Sequence, residues 1–70
     1  MSSNPPIQSL NRAIDIIEFL YHCGHEASIS EISEGTDLFG STVYRMLSTL
    51  RARGYVYQNE KNAKYGLGLR

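Results

Sequence analysis

"DLFGSTVYRMLSTLRARGYV" (residues 37–56) decides the fold, because it joins a helix break, a helix and the start of a strand. Its apolar residues recur at the spacing of one helical face, namely Val43, Met46, Leu47 and Leu50. Gly54 follows them at a position where glycine commonly ends a helix. The stretch therefore predicts a helix from about Gly40 to Arg53, followed by extended chain.

A first helix is predicted upstream, from about Ser9 to His22, with Ser9 as its N-cap and Gly24 just past its end. Its predicted buried stripe consists of Leu10, Ala13, Ile14, Ile17, Leu20 and Tyr21, widened by Ile16 and Phe19. Residues 1–8 contain two prolines and small polar residues, so a flexible N-terminal arm is expected there.

A second, brief helix is predicted within residues 26–36, after a short link in which Ile29 fits a short strand. Either Ser28 or Ser30 suits its N-cap, because Ser28 and Glu31 also have the spacing of a capping box. Gly35 costs such a helix up to about 1 kcal/mol relative to alanine, which is tolerated where another helix crosses closely. Residues 37–40 then break the pattern, and Asp37 can adopt the left-handed conformation.

The apolar period changes to two after the third helix, which predicts strands at 55–58 and 64–69 joined by a polar turn. On this pattern Tyr65, Leu67 and Leu69 share one face of the hairpin. The predicted fold is mainly α with a small β-hairpin, a winged helix-turn-helix of three helices plus a wing. It occupies residues 9–70, with the helix-turn-helix at about 29–50 and the wing at about 55–69.

Composition restricts the class of protein. Seventy residues make one small domain, and the sequence contains neither an 18-residue apolar run nor the pattern of a secretory signal. Cys23 is the single cysteine and cannot form an internal disulfide, so a reducing, cytoplasmic setting is expected, with no membrane contact. No cofactor is expected either.

The net charge of zero conceals an uneven distribution. Residues 1–43 carry six acids and one base, giving −5, whereas residues 44–70 carry six bases and one acid, giving +5. A surface formed by the second half can therefore bind an anion, although the whole chain is neutral.

The third helix turns a polar face away from its apolar stripe. At about 100° per residue, Ser41, Arg45 and Ser48 lie opposite Val43, and Thr42 and Tyr44 flank them. Small residues and free N–H groups at the helix start allow close approach to a phosphate. Arg45 could read guanine, and Tyr44 could bond a phosphate or contact a thymine methyl. The candidate DNA-binding residues are Ser30, Gly40, Ser41, Thr42, Tyr44, Arg45, Ser48, Lys61 and Lys64, of which the two lysines lie at the wing tip, placed to touch flanking phosphates.

Four segments resemble the N-terminal DNA-binding domain of the IclR family of bacterial transcriptional regulators: "SLNRAIDIIEFL" (9–20), "SISEIS" (28–33), "STVYRMLSTLRARGYV" (41–56) and "KYGLGLR" (64–70). The resemblance implies a winged helix-turn-helix that binds palindromic operators as a dimer or dimer of dimers, with Ser41, Thr42, Tyr44 and Arg45 in the recognition-helix motif. It also implies a C-terminal effector domain for small, usually acidic, metabolites. This sequence does not contain that domain, so an excised domain is expected.

The sequence departs from the family at four positions. Family members usually have glycine at Asp37, proline at Phe39, a lysine or similar polar residue at Gly40, and a polar or basic wing residue at Gly66. A carboxylate gained at Asp37 and a cation lost at Gly40 imply weaker phosphate binding at the helix start.

Two other classes of function compete with DNA binding. The "HCGH" segment (22–25) offers His22, Cys23 and His25 to a metal or a nucleophilic mechanism, but no further ligand cluster accompanies it. A winged helix can also serve protein contact without DNA, in which case the acidic first half is the working surface. Neither accounts for the polar face of the third helix, so a non-enzymatic DNA-binding domain is the preferred interpretation.

Overall fold

The computed structural model describes residues 5–68, in which three helices precede a two-stranded antiparallel hairpin. The elements are α1 (Gln8–Cys23), α2 (Ile29–Thr36), α3 (Gly40–Ala52), β1 (Val56–Gln58) and β2 (Tyr65–Leu67). This is the predicted winged helix-turn-helix. Within residues 5–68, no helix combines the length and apolarity that a bilayer crossing requires. Residues 1–4 of the expected arm and Leu69 lie outside the described residues.

One hydrophobic core joins all five elements. Its buried residues are Ile16, Leu20, Ala27, Ile32, Val43, Leu47, Val56 and Tyr65. The stripe predicted for α3 is confirmed, because Val43 and Leu47 are fully buried and Met46 and Leu50 are half-buried against the core. This burial fixes the rotation of α3 about its axis and so decides which of its side chains face solvent.

The buried face of α1 differs from the prediction. Ile16 and Leu20 are buried and Phe19 packs against the core, whereas Leu10, Ile14 and Tyr21 are exposed. The reason is that α1 is apolar around much of its circumference, while it packs chiefly against α2 and β2.

The start of α1 also differs from the prediction. Ser9 as N-cap was wrong, because the helix begins at Gln8 and its cap is Ile7, without a side-chain hydrogen bond. Its end is confirmed, since Gly24 adopts the left-handed conformation with φ 73°.

The start of α2 is fixed by a capping box. The Glu31 backbone N–H donates to Ser28 Oγ at 3.1 Å, and the Ser28 backbone N–H donates to Glu31 Oε1 at 2.8 Å. Ser28 is therefore the N-cap, and the Ser30 alternative was wrong. The strand expected at Ile29 was also wrong, because the capping box makes Ile29 helical and the bridge to Tyr65 forms at Ala27.

The turn of the helix-turn-helix consists of residues 37–39. Asp37 adopts the expected left-handed conformation at φ 60°. The backbone N–H of Leu38 donates to the Ser33 carbonyl at 3.2 Å, and the Ser33 hydroxyl donates back to the Leu38 carbonyl. These bonds hold α3 at a fixed angle to α2.

Gly35 allows α1 and α2 to cross closely, as its place inside a helix predicted. A Cβ at this position would lie 2.1 Å from Phe19 Cε1, well inside van der Waals contact. Glycine at this position destabilises the isolated helix, but its missing side chain leaves the space in which the Phe19 ring packs against α2.

Candidate nucleic-acid interface

The outward face of α3 is polar and accessible. Ser41, Arg45 and Ser48 are exposed, and Tyr44 exposes 56% of its surface. Thr42 is half-buried on the flank that faces α1. The rotation predicted from the apolar stripe is thus confirmed, and it brings these five candidate residues to one face.

The N-terminus of α3 carries free backbone donors. Its N-cap is Phe39, which offers no side-chain acceptor, and the first backbone bond of the helix runs from the Val43 N–H to the Phe39 carbonyl at 3.0 Å. The N–H groups of residues 40–42 therefore point out of the helix without a cap, which is the arrangement that binds phosphate. In α2 the capping box already uses the N–H groups of Ser28 and Glu31, the positions that correspond to Phe39 and Thr42 in α3.

The first turns of α2 and α3 lie side by side. A Cβ on Gly40 would lie 3.8 Å from Ile29 Cγ2, in ordinary contact distance. Ser30 follows Ile29 in this turn and is exposed. The α2 turn that contains Ser30 thus packs against the start of α3, although Ser30 does not cap α2.

The wing turn is built by two asparagines. Asn59 Oδ1 accepts from the Lys61 backbone N–H at 2.8 Å, and Asn62 Oδ1 accepts from the Lys64 backbone N–H at 2.9 Å. Lys61 is exposed at the tip, whereas Lys64 is half-buried at the start of β2. The two predicted wing contacts are therefore not equivalent.

Glu26 ties the wing to the helical body, a contact that sequence reasoning missed. Its carboxylate accepts from Tyr57 Oη at 2.7 Å, from Asn59 Nδ2 at 3.1 Å and from Asn62 Nδ2 at 3.4 Å. We refer to these four residues as the wing clasp. Glu26 and Tyr57 are 31 residues apart, and no periodicity connects them.

The wing clasp perturbs its ionisable groups. The Tyr57 hydrogen bond, followed by those of the two asparagines, lowers the pKa of Glu26, and the same bond raises the pKa of Tyr57. The positive charge of Lys64 also favours ionised Glu26. The pKa of Glu31 is lowered chiefly by the hydrogen bond from the Ser28 backbone N–H and, to a smaller extent, by the charge of Lys64. Part of the Lys64 charge is thus balanced by the body of the domain.

Gly66 has a structural reason to depart from the family pattern. It pairs with Tyr57 across the hairpin, and a Cβ at Gly66 would lie 2.6 Å from the Tyr57 hydroxyl oxygen. The Tyr57 ring therefore lies over Gly66, which is buried, and its hydroxyl donates a hydrogen bond to Glu26. The predicted alternation of β2 holds only at Tyr65, because Leu67 is exposed.

The "HCGH" segment lies at the end of α1 and in the chain that follows it. Within residues 5–68, no group of three or more histidine, cysteine or acidic side chains lies together. Cys23 packs half-buried against the core, and its thiol donates to the carbonyls of Leu20 and His25 at 3.5 and 3.0 Å. His25 Nδ1 lies 2.7 Å from the Glu26 carbonyl oxygen.

The fold and this site define a class of protein, a winged helix-turn-helix DNA-binding domain. The profile of the IclR helix-turn-helix domain matches residues 9–60, and the chain belongs to this family. This is a family of DNA-binding transcriptional regulators.

Two curated relatives are similar to almost the whole chain. The HTH-type transcriptional regulator XynR of Escherichia coli (strain K12) is 39% identical over 66 residues, which are 94% of this chain and 26% of XynR. The HTH-type transcriptional repressor AllR of Salmonella paratyphi A is 39% identical over 62 residues, which are 89% of this chain and 23% of AllR. The chain thus spans about a quarter of the length of these relatives.

Solved structures share the fold. HmgR of Pseudomonas aeruginosa superimposes with a TM-score of 0.83 at 29% identity, over 89% of this chain and 26% of that chain. An IclR family transcriptional regulator from Brucella abortus gives a TM-score of 0.87 at 24% identity, over 96% of this chain and 25% of that chain.

Proposed function

We propose that this domain binds duplex DNA sequence-specifically, with α3 in the major groove and the wing on flanking phosphates. The observation that carries the proposal is the exposed polar face of α3, whose uncapped N-terminus lies beside the exposed first turn of α2. A helix with small residues at its start can bring its backbone donors close to a phosphate while its side chains reach base edges.

The residues divide between positioning and reading. The hydroxyls of Ser41 and Thr42 join the free N–H groups on a phosphate, with Ser30 and Gly40 at the same helix start. Arg45 donates two parallel bonds to guanine O6 and N7, while Tyr44 and Ser48 contact the neighbouring bases or backbone. Lys61 and Lys64 contact phosphates beside the major groove.

The relatives are about four times as long as this chain, which supports the proposal that the domain is part of a longer protein. XynR is named a transcriptional regulator and AllR a transcriptional repressor, and the chain matches about a quarter of each. We therefore propose that the domain represses transcription in the cytoplasm as part of a longer regulator. In that protein it binds a palindromic operator as a dimer or dimer of dimers, and a C-terminal domain binds a small effector.

The test is to select bound duplexes from a random pool and to titrate the chain against a selected and a shuffled duplex over a range of salt concentrations. With about 3–5 phosphate contacts, log–log plots of affinity against salt should have slopes of roughly −3 to −4.5, and the selected duplex should bind more tightly. Binding without salt dependence, or no binding at any salt, would favour a protein-interaction module instead.

A further inference from the structure

A groove between α1 and α3 combines Thr42 and Arg45 of the candidate site with residues that have no assigned role, among them Arg12 of α1. Its volume is about 330 Å³. It is lined by Ser9, Arg12, Thr42, Arg45, Met46 and Thr49. The lining thus includes two arginines, three hydroxyl residues and one methionine, and no acidic residue among residues 5–68 belongs to it.

The two arginines of the groove are not neutralised by the protein. Within residues 5–68, neither the Arg12 nor the Arg45 side chain makes an ion pair or hydrogen bond, although Asp15 lies one turn further along α1. Arg12 is nevertheless half-buried. Two cations that line one groove repel each other, and an anion bound between them removes that repulsion.

The hydroxyls of the groove restrict how the anion is bound. Thr49 Oγ1 already donates to the Arg45 carbonyl at 3.3 Å, which leaves Ser9 and Thr42 as available donors. Two guanidinium groups with two hydroxyls match the oxygens of a phosphate diester, which arginine recognises with charge-assisted bonds.

The position of the groove relates the anion to DNA. On α3 the groove lies on the flank of Thr42, Arg45 and Thr49, whereas Arg51 Nη1 reaches Gln58 Oε1 of β1 at 2.7 Å on the other flank. A helix in the major groove meets a sugar–phosphate backbone on each side, since that groove is roughly 12 Å wide. In the proposed complex the wing lies against one backbone, and the α1 groove is on the side of the other.

We propose that this groove holds one backbone phosphate of the bound DNA, and that Arg12 of α1 is the side chain that binds it. This inference rests on the proposed function. Arg12 thereby belongs to the DNA interface although it lies in the acidic half of the sequence.

The first test compares Arg12→Ala with Arg53→Ala, which removes the same charge from an exposed position outside the groove. Each phosphate contact contributes about −0.9 to the slope of log affinity against log salt. Arg12→Ala should make the slope on a shuffled duplex shallower by about 0.9, so that raising salt from 50 to 200 mM costs roughly 3.5-fold less affinity. Arg53→Ala should leave the slope at the wild-type value.

The second test locates the phosphate. Single methylphosphonate substitutions in a selected duplex should reveal one position that weakens the wild-type chain and does not further weaken Arg12→Ala. Arg12→Lys should keep the slope but lose part of the affinity, because lysine binds phosphate as a point charge.

The failures of the two proposals are distinguishable. If the wild-type chain binds DNA with the expected slope but the Arg12 and Arg53 variants behave alike, or if no phosphate couples to Arg12, this inference is overturned and the proposed function stands. If the wild-type chain does not bind DNA, both are overturned.

Discussion

Among single residues, Arg45 carries the most specific role in the proposed interface. Arg45 is exposed in the middle of the polar face of α3, and its guanidinium makes no hydrogen bond or ion pair within residues 5–68. Arg45→Ala should therefore leave the fold intact and cost about 1–3 kcal/mol of binding free energy on the selected duplex, with a relaxed sequence preference. Affinity for selected and shuffled duplexes is the measurement. An equal loss on both would make Arg45 a phosphate contact.

Two residues with positive φ predict opposite changes in stability. Ala63 has φ 62° in the wing turn, and Gly24 has φ 73° after α1 with open space around the position of a Cβ. Ala63→Gly should raise the free energy of unfolding by up to about 1 kcal/mol, and Gly24→Ala should lower it by a similar amount. In thermal unfolding these changes correspond to shifts of about 4–8 °C in Tm per kcal/mol. A lower Tm for Ala63→Gly would contradict the expectation.

At the scale of elements, the α1–α2 crossing depends on Gly35. Gly35→Ala places a methyl group where the Phe19 ring lies, and overpacking of this kind costs about 1–3 kcal/mol. Urea unfolding of Gly35→Ala, Phe19→Leu and the double variant measures the coupling. We expect the double variant to be more stable than the sum of the single losses predicts, because a smaller side chain at position 19 accommodates the methyl group. Additive losses would mean that the ring moves aside freely.

The wing clasp predicts a pH dependence of stability. The folded-state pKa of Glu26 is lowered from its ordinary value of 4.5, chiefly by the Tyr57 hydroxyl. The stabilisation is therefore complete above the unfolded-state pKa and is lost as pH falls through the folded-state pKa. Glu26→Gln should be less stable than wild type at pH 7, and the difference should disappear towards pH 3. Unfolding curves at pH 7, 4 and 3 provide the measurement, and Tyr57→Phe should give the same convergence. A difference that stays constant across this range would exclude the clasp as its source.

How far the sequence predicts each element depends on the range of its contacts. The buried stripe and the polar face of α3 follow from a 3.6-residue apolar period that Gly40 and Gly54 delimit at its two ends. Most of the candidate site could therefore be predicted. The buried face of α1 could not, because apolar residues lie around much of the helix and only tertiary packing selects Ile16 and Leu20. The wing clasp and the α1–α3 groove join residues more than thirty positions apart, which no local pattern reveals.

At the scale of the whole molecule, the two oppositely charged halves of the sequence are not two separate surfaces. Arg12 from the acidic half lines a groove with Arg45 from the basic half, and Glu26 contacts the wing. The fold thus places Arg12 beside the proposed interface, and Glu26 binds the wing through hydrogen bonds. The affinity of the basic surface for DNA therefore depends on which of its cations interact with carboxylates, as Lys64 does with Glu26 and Glu31.

The wing can test whether nearby carboxylates weaken the contribution of a cation to DNA binding, because its two lysines differ in their surroundings. Lys61 is exposed at the tip, whereas Lys64 is half-buried and its charge acts on both Glu26 and Glu31. A cation already balanced by carboxylates releases fewer counterions on binding DNA. Lys61→Ala should therefore make the salt slope shallower by about 0.9, and Lys64→Ala by less, with the double variant below the limit of about 2 for two full contacts. Slopes are measured on shuffled duplexes, with Arg53→Ala as the control for loss of charge alone. Equal changes for the two lysines would show that the carboxylates do not screen Lys64, and unchanged slopes would remove the wing from the interface.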